Sequence, residues 1–358
     1  MKDEAPRAGL CRLGSLLGAL FLAACGSDSI EPLPLGTAEV GVVLGSVDLS
    51  LTIFDVADPT QTRVVGLAPT GSPVSLAVRG ELAAVPLGFV PAVAIVDLKE
   101  GVVLRTVGLP DGSGATGVGF LNDSIVLVAN LDLNSVTPVN VLAGTRGSNI
   151  EVGRFPQAIV VEGGRAFVLN AELALDPTTG FPVPDGPSTV SVIDIESLTV
   201  TSTIQLSGEN AGAGVVGSDG RLYIVNSGSF GLANGTLSVV NLTSLREVGH
   251  HTGFGDFPGS LALGPSGRAF VGAFSYGVVV WDTSLDAFIR GPAEALKPGG
   301  SGVTGLAYDE AGRLYTLTAD CVNPTTANRL DDTFAIDVTI PVGICPFAIA
   351  FTTIEEEN

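Results

Sequence analysis

The chain has 358 residues, of which 46% are hydrophobic and 15% charged, and its formal net charge at pH 7 is −20. Such an acidic chain argues against nucleic-acid binding, because attraction to phosphates supplies most non-specific affinity and no run of Lys or Arg offers a local basic patch. The charge is typical of a surface that keeps an apolar-rich protein soluble.

The first 24 residues have the three parts of a secretory signal peptide. Lys2, Arg7 and Arg12 precede an apolar run at 13–22, and small residues follow it. The run is too short to span a bilayer, which needs about 20 residues. We therefore leave residues 1–24 out of the fold. The remaining chain carries 14 Lys plus Arg against 35 Asp plus Glu, a net charge of −21.

A lipobox, Leu22-Ala23-Ala24-Cys25, follows the apolar run directly. It predicts acylation of Cys25 and membrane attachment through lipid, with residues 25–38 as a flexible tether. The alternative is an ordinary secretory signal in which the cysteine is a coincidence. Two or three acyl chains suffice for stable anchoring, since each buried methylene contributes about 0.8 kcal/mol. We expect an extracytoplasmic protein, held at the outer membrane if the host has two membranes, because position 26 is not Asp.

From residue 39 onward, a strand pattern of the form apolar-x-apolar-x-Asp/Asn recurs seven times. The terminal Asp or Asn residues are separated by 42, 43, 54, 47, 41 and 55 positions. This is close to the period of about 40 to 50 residues expected of four-stranded propeller blades, and the two long separations predict insertions. The seven copies lie at 51–55, 93–97, 136–140, 190–194, 237–241, 278–282 and 333–337.

Two further strands precede each copy except the first, whose blade lacks an opening strand. Residues 346–351 match the opening pattern at 73–78, so the C-terminus can supply the missing strand. The sequence therefore predicts an all-β fold, a seven-bladed β-propeller of four-stranded blades over 39–352, closed by a C-terminal strand that completes the first blade. Residues 353–358 form an acidic tail. The predicted opening strands of the other blades begin at Pro73, Ala115, Pro156, Ala211, Pro258 and Val303.

Second strands lie at 127–130, 167–170 and 223–226, and Gly-x-x-Pro links lie at 153–156, 255–258 and 343–346. These strands and links resemble the signature of YVTN-repeat β-propellers. The resemblance covers 39–351 and implies a bacterial, extracytoplasmic repeat scaffold without implying one activity. Three blades depart from the signature, where Pro86, Ala273 and Thr318 replace Asn.

The loops between second and third strands, together with the links from each blade to the next, lie on one side of such a disc, which we name the link face. It holds the predicted insertions at 171–189 and 319–332, and long loops on a rigid scaffold often carry binding residues. Plain solvation of surface charge is the alternative. The candidate ligand-binding residues in the links are Asp111, Arg154, Phe155, Glu209, Asn210, Asp256 and Phe257.

Two cysteines, Cys321 and Cys345, remain once Cys11 leaves with the signal peptide and Cys25 is acylated. An even remainder in an oxidising compartment predicts one disulfide, with two free thiols as the alternative. Both cysteines fall on the link face, where a bridge clamps the seventh blade beside the ring closure.

The sequence offers no catalytic constellation, and we predict no catalytic residue, metal or resident cofactor. Two Gly-x-Gly-x-x-Gly matches, at 112–117 and 300–305, lead into strands and so lack the helix N-terminus that binds a pyrophosphate. The only histidines, His250 and His251, are adjacent and point to opposite sides of a strand, so they do not easily share a metal.

These observations predict a binding scaffold whose partner is a protein, a glycan or a small ligand. The alternative is a cation-dependent hydrolase or lactonase with a site at the channel mouth. In that case Asp111, Glu209, Asn210 and Asp256 supply oxygen ligands of the kind that Ca²⁺ prefers. Nucleic-acid binding is a weaker alternative because of the charge.

Overall fold

The computed structural model describes residues 38–300 and 302–355, and these form seven blades of four antiparallel strands in a ring. The predicted signal peptide, Cys25 and the tether as far as residue 37 lie outside the described residues. Within the described ranges, no helix is long and apolar enough to cross a membrane.

The first three blades are up-and-down meanders, and the outer strand of the third is split into two short pieces. The first blade contains β1 (Ala38–Gly45), β2 (Ser50–Asp55) and β3 (Thr62–Gly66). The second contains β4 (Ala77–Arg79), β5 (Leu82–Pro86), β6 (Ala92–Asp97) and β7 (Val102–Gly108). The third contains β8 (Ala115–Phe120), β9 (Ile125–Asn130), β10 (Ser135–Asn140), β11 (Thr145–Arg146) and β12 (Ile150–Glu151).

The remaining blades follow the same plan, and the fourth carries an extra hairpin formed by β15 and β16. The fourth blade contains β13 (Pro156–Glu162), β14 (Arg165–Asn170), β15 (Leu173–Leu175), β16 (Pro182–Pro184), β17 (Thr189–Asp194) and β18 (Thr199–Gln205). The fifth contains β19 (Ala211–Val216), β20 (Arg221–Asn226), β21 (Thr236–Asn241) and β22 (Arg246–Thr252). The sixth contains β23 (Pro258–Leu263), β24 (Arg268–Ala273), β25 (Gly277–Asp282) and β26 (Ala287–Arg290). The seventh contains β27 (Val303–Tyr308), β28 (Leu314–Thr318), β29 (Pro324–Leu330) and β30 (Ile336–Ile344), and β31 (Pro346–Ile354) follows it. Three-residue 3₁₀ helices lie at Leu131–Leu133, Pro292–Glu294 and Pro298–Gly300.

The last strand closes the ring, as the sequence predicts. β31 pairs antiparallel with β1, with Ala38 opposite Ile354 and Val43 opposite Ile349. The first blade therefore takes its inner strand from the end of the chain and its other three from the beginning. The paired strands extend slightly beyond the predicted limits of 39 and 352.

The predicted openings of the inner strands are confirmed in five blades, but the second blade differs. Its hydrogen-bonded inner strand β4 begins at Ala77 rather than Pro73. Residues 73–76 run ahead of the ladder, and there the Ser75 hydroxyl donates to the Thr116 carbonyl of the next blade at 2.5 Å.

The seventh copy of the sequence repeat was assigned wrongly. The third strand of that blade is β29, and residues 331–335 form the turn after it, so Asp337 belongs to the fourth strand. Asp331 accepts hydrogen bonds from the N–H groups of Thr333 at 2.8 Å and Ala335 at 3.0 Å, which makes it the true end of the repeat. The predicted insertion at 319–332 therefore contains a strand. The apolar pattern does not identify β29 as a strand, because one of its buried residues is Asn328.

The hydrophobic core is divided into seven clusters, one between each pair of neighbouring blades. The cluster between the fifth and sixth blades includes Tyr223, Phe254 and Trp281. Trp281 is buried there and serves packing. Each blade is thus stabilised by its neighbours on both sides, and closure of the ring completes the last cluster.

Small residues occupy the third position of six inner strands, and Ser75 occupies the matching place ahead of β4 in the second blade. A Cβ on Gly117 would lie 2.6 Å from the Gln157 carbonyl oxygen, and one on Gly305 would lie 3.0 Å from that of Phe347. These glycines end the two Gly-x-Gly-x-x-Gly matches, so blade packing accounts for them. The seven residues at this position are Ser75, Gly117, Ala158, Ala213, Ser260, Gly305 and Ala348.

Candidate functional site

The seven predicted ligand-binding residues all lie in links between an outer strand and the next inner strand. They are spread over the links that enter the third, fourth, fifth and sixth blades. In the part of the chain that the structure describes, no three His, Cys, Asp or Glu side chains are close enough to hold one metal ion. The candidates Asp111, Glu209 and Asp256 therefore do not form a carboxylate cluster.

Three of the candidates have a backbone role that the sequence did not reveal. Phe155, Asn210 and Phe257 have φ angles of 53°, 59° and 53°, and each directly precedes an inner strand. Cys345 and Gly114 occupy the same position, with φ angles near these values at 56°. A left-handed backbone costs an L-residue about 1 to 2 kcal/mol. The link therefore uses this strained residue to turn the chain from the rim into the channel wall.

Asn210 is also an internal brace between two blades. Its side chain is buried, and its Nδ2 donates to the Gly228 carbonyl at 3.1 Å. Its Oδ1 accepts a hydrogen bond from Nε2 of Gln157, on the inner strand of the fourth blade, at 3.1 Å. Both polar atoms of the amide are thus used inside the protein.

Arg154 holds the base of the extra hairpin in the fourth blade. Its guanidinium lies 2.8 Å from Asp185 and 3.2 Å from Glu172, which flank the hairpin. Its hydrogen bonds raise the pKa of Arg154, and the bond to Asp185 contributes more than the bond to Glu172. This arginine is therefore engaged in an ion-pair network, and the hairpin beyond it ends in the exposed residues Leu175 and Phe181.

An exposed aromatic patch lies where the fifth and sixth blades meet on the link face. The ring of Phe257 packs edge to face with that of Phe230, with 5.8 Å between centroids. Phe230 is 80% exposed and belongs to the loop at 227–235, which the sequence did not single out because the fifth blade has an ordinary length. Leu232 in that loop and Phe274 in the next are also exposed. We name the contacting pair Phe230 and Phe257 the aromatic patch.

Hydrogen bonds between side chains and the backbone hold the loops that carry the aromatic patch. Asp256 Oδ1 accepts the N–H of Gly231 at 2.7 Å, and the Asp256 carbonyl accepts the Ser275 hydroxyl at 3.4 Å. The half-buried Tyr276 hydroxyl donates to the Phe254 carbonyl. Burial of the hydroxyl is the main cause that raises the pKa of Tyr276, and the nearby Asp256 carboxylate raises it further. The tyrosine is thus a neutral donor under the aromatic patch.

Exposed phenylalanines concentrate on the link face. Of the seven that are exposed among the described residues, six lie in loops, links or strand ends on this face, and Phe288 lies in the outer strand β26. Exposed apolar surface gathered on one side of a protein is typical of an interaction site. The six are Phe89, Phe181, Phe230, Phe257, Phe274 and Phe347.

The predicted disulfide is confirmed. Cys321 lies in the loop between β28 and β29, and Cys345 lies between β30 and β31, so the bridge spans 24 positions on the link face. The Cys345 N–H also donates to the Asp320 carbonyl at 2.9 Å. The bridge therefore joins the seventh blade to the start of the closing strand.

A cavity lies on the opposite face, between the fourth and fifth blades. Its volume is about 650 Å³, and Glu162, Arg165 and Ser218 contribute to its lining. Arg165 donates from Nη1 to the Leu242 carbonyl at 3.1 Å. The cavity is an open groove between hairpin turns, and no predicted site residue lines it.

Comparison with known proteins supports the fold and no more. No family model matches the chain, and no curated protein matches it. A solved chain of hydrazine synthase from Kuenenia stuttgartiensis is similar over 81% of this chain and 97% of that chain, with a TM-score of 0.64 and 15% identity. Because 1585 solved chains match, and because the identity is this low, the likeness shows the β-propeller fold alone. Membership of the YVTN-repeat family stays a prediction.

Proposed function

We propose that this chain is a lipid-anchored, extracytoplasmic binding scaffold that engages its partner through the link face. The observation that carries the proposal is the concentration of six exposed phenylalanines on that face. Water-exposed rings held on a rigid ring of blades lose little conformational entropy when a partner covers them, and aromatic residues are enriched at interfaces. The partner belongs to the protein, glycan or small-ligand classes.

The chain topology supports an orientation in which the link face points away from the membrane. β1 is the second strand of its blade, and it ends at Gly45 in a loop on the link face. It must therefore begin, at Ala38, on the opposite face. A tether from an acylated Cys25 has 13 residues, Gly26 to Ala38, and reaches at most about 40 to 50 Å. It would join the propeller from the side opposite to the exposed phenylalanines.

The anchor is tested by Cys25→Ala in the full-length chain. We expect the wild type to incorporate an acyl label in its host and to sediment with membranes, whereas the variant loses both properties. Cys11→Ala is the matched control and should behave as the wild type. An unchanged acyl signal in Cys25→Ala would sink the anchoring part of the proposal.

The binding face is tested by crosslinking in intact cells, with paired substitutions on the two faces. Phe181→Ser with Phe230→Ser removes two exposed apolar side chains from the link face, and Leu142→Ser with Leu285→Ser removes two from the opposite face. We expect the first pair to lose a specific crosslinked product and the second pair to keep it. Equal loss in both pairs, or no effect of the first pair, contradicts the proposal.

A further inference from the structure

We infer that the aromatic patch and its flanking carboxylates bind a cationic peptide segment, one in which Lys or Arg alternates with apolar residues. This inference rests on the proposed function and specifies the partner chemistry of the same face. It is carried by the exposed rings of Phe230 and Phe257, the two acidic residues that the Phe230 loop contacts, and the net negative charge of the link face.

The exposed rings supply the apolar part of the site. The edge-to-face contact of Phe230 with Phe257 leaves much of the Phe230 ring open to solvent. The face of an aromatic ring carries negative electrostatic potential and attracts Lys or Arg groups within about 6 Å of its centre. A partner that places both apolar and cationic side chains here uses both properties of the ring.

Two acidic residues contact the loop that carries Phe230. The Gly228 N–H donates to the backbone carbonyl of Glu209 at 3.1 Å, and the Gly231 N–H donates to Asp256 Oδ1 at 2.7 Å. Among residues 38–300 and 302–355, neither carboxylate makes an ion pair. The negative charge of each is therefore not neutralised by an ion pair among these residues, and it attracts a cationic group from a partner.

The charge of the whole face favours the same partner. The described loops and links of the link face contain ten acidic residues and two basic ones, Arg154 and Lys297. Arg154 is engaged with Glu172 and Asp185. The other Lys and Arg residues lie in strands or in turns of the opposite face. A face with this balance speeds the approach of cationic partners and repels anionic ones, including acidic lipid surfaces.

The test measures peptide binding to the purified full-length chain by fluorescence anisotropy. Two labelled 12-residue probes of equal length are compared, one alternating Leu with Lys and the other alternating Leu with Glu. We expect the Lys probe to bind, with an affinity that falls as salt is raised because exposed charges are screened, and the Glu probe not to bind.

Matched variants separate the patch from the general acidity of the chain. Phe230→Ser with Phe257→Asn removes the rings, and Asn is chosen because it tolerates the left-handed backbone at position 257. Glu209→Gln with Asp256→Asn removes the flanking charge. The control, Glu100→Gln with Glu196→Gln, removes the same charge from exposed turns of the opposite face. We expect each patch variant to weaken the Lys probe about tenfold, equivalent to about 1.4 kcal/mol, and the control to change it less than twofold.

Two results overturn the inference. If the opposite-face control weakens binding as much as the patch variants, the Lys probe responds to overall charge. If neither probe binds, or the Glu probe binds better, the partner is not cationic. The proposed function is judged separately, since a crosslinked partner lost in Phe181→Ser with Phe230→Ser supports the scaffold even when that partner is acidic or a glycan. Circular dichroism of each variant verifies that it is folded.

Discussion

The Asp or Asn that ends each third strand, the residue by which the repeat was recognised, works in the turn that follows. Asp194 accepts the N–H of Ser197 at 2.9 Å, and Asp282 accepts that of Ser284 at 2.9 Å. Asn140 does the same for Ala143 at 2.7 Å. A short polar side chain that bonds the backbone two or three residues ahead is a turn former, so the repeat reflects hairpin chemistry rather than a ligand site.

The signature Asn of the second strand is likewise structural. In three blades it is fully buried, and its Nδ2 donates to two hydroxyl groups on the neighbouring third strand. Asn130 contacts Ser135 and Thr137 in this way, at 3.1 and 2.8 Å. In the seventh blade the amide and the hydroxyl exchange strands: Asn328 on the third strand donates to the Thr318 hydroxyl on the second at 2.9 Å. The departure at Thr318 therefore preserves the hydrogen bond.

The turn carboxylates predict acid sensitivity. Hydrogen bonds from Ser197, Ser284 and Thr333 are the largest causes that lower the pKa of Asp194, Asp282 and Asp331 from the ordinary value of 3.8. Because the folded pKa lies below the unfolded one, the stabilisation is present above about pH 3.8 and is lost as pH falls through the folded pKa. We expect Asp194→Asn, Asp282→Asn and Asp331→Asn combined to reduce the fall in the urea midpoint between pH 5 and pH 2.5. An unchanged pH profile in the triple variant contradicts this role.

The inner strands are the elements that decide how closely the blades pack. Six of the seven hold Ser, Gly or Ala at their third position, and at Gly117 and Gly305 even a Cβ would meet the backbone of the next blade. Hydroxyl groups nearby also tie the blades together, as when Thr116 Oγ1 donates to the Pro156 carbonyl at 2.9 Å. The ring is thus sealed by backbone contacts on the channel side and by hydrophobic clusters towards the rim.

A pair of glycine substitutions tests this packing. In Gly117→Ala the new Cβ lies 2.6 Å from the Gln157 carbonyl oxygen, whereas in Gly259→Ala it meets no atom within 4 Å. We expect Gly117→Ala to lower the free energy of unfolding by about 1 to 3 kcal/mol, as overpacking does. Gly259→Ala should leave it unchanged or raise it by about 0.4 to 1 kcal/mol, through the unfolded state. Urea denaturation measures both, and equal effects in the two variants would refute the packing argument.

At the scale of the whole molecule, stability depends on joining the two ends of the chain. β31 brings the last strand to β1, and the Cys321–Cys345 bridge fixes the start of β31 to the seventh blade. Without that closure, β1 has an unpaired edge and the cluster around Phe54 and Tyr315 loses one wall. Closure therefore links the last blade interface to the folding of all the others.

Breaking the disulfide should loosen the closing strand first. We expect Cys321→Ser with Cys345→Ser to cost about 3 to 4 kcal/mol, the chain-entropy estimate for a loop of 24 positions. Amide hydrogen exchange should rise in β31 and β1 before it rises in the fourth blade. The wild type under reducing conditions should match the double variant, and the double variant should not respond to reductant. Uniform loss of protection in all blades would count against a local clamp.

The sequence by itself determined the fold class, the number of blades and the closing strand. Strand alternation, turn residues and repeat spacing are local properties, and they can be recognised directly in the sequence. The disulfide could be predicted too, because elimination left two cysteines. The same local reasoning failed in the seventh blade, where the buried residues of β29 include Asn328 and an accidental alternation at 333–337 looked more like a strand.

Only the tertiary structure decided which link residues face solvent and which serve the fold. Asn210 and Arg154 look alike in the sequence as polar link residues. In the structure, Asn210 is buried and connects two blades, whereas Arg154 forms ion pairs at the base of the hairpin. The aromatic patch joins Phe230 and Phe257, 27 positions apart, and it depends on a contact between two blades. Spatial convergence of this kind follows from how the blades pack against one another, and no local pattern in the chain encodes it.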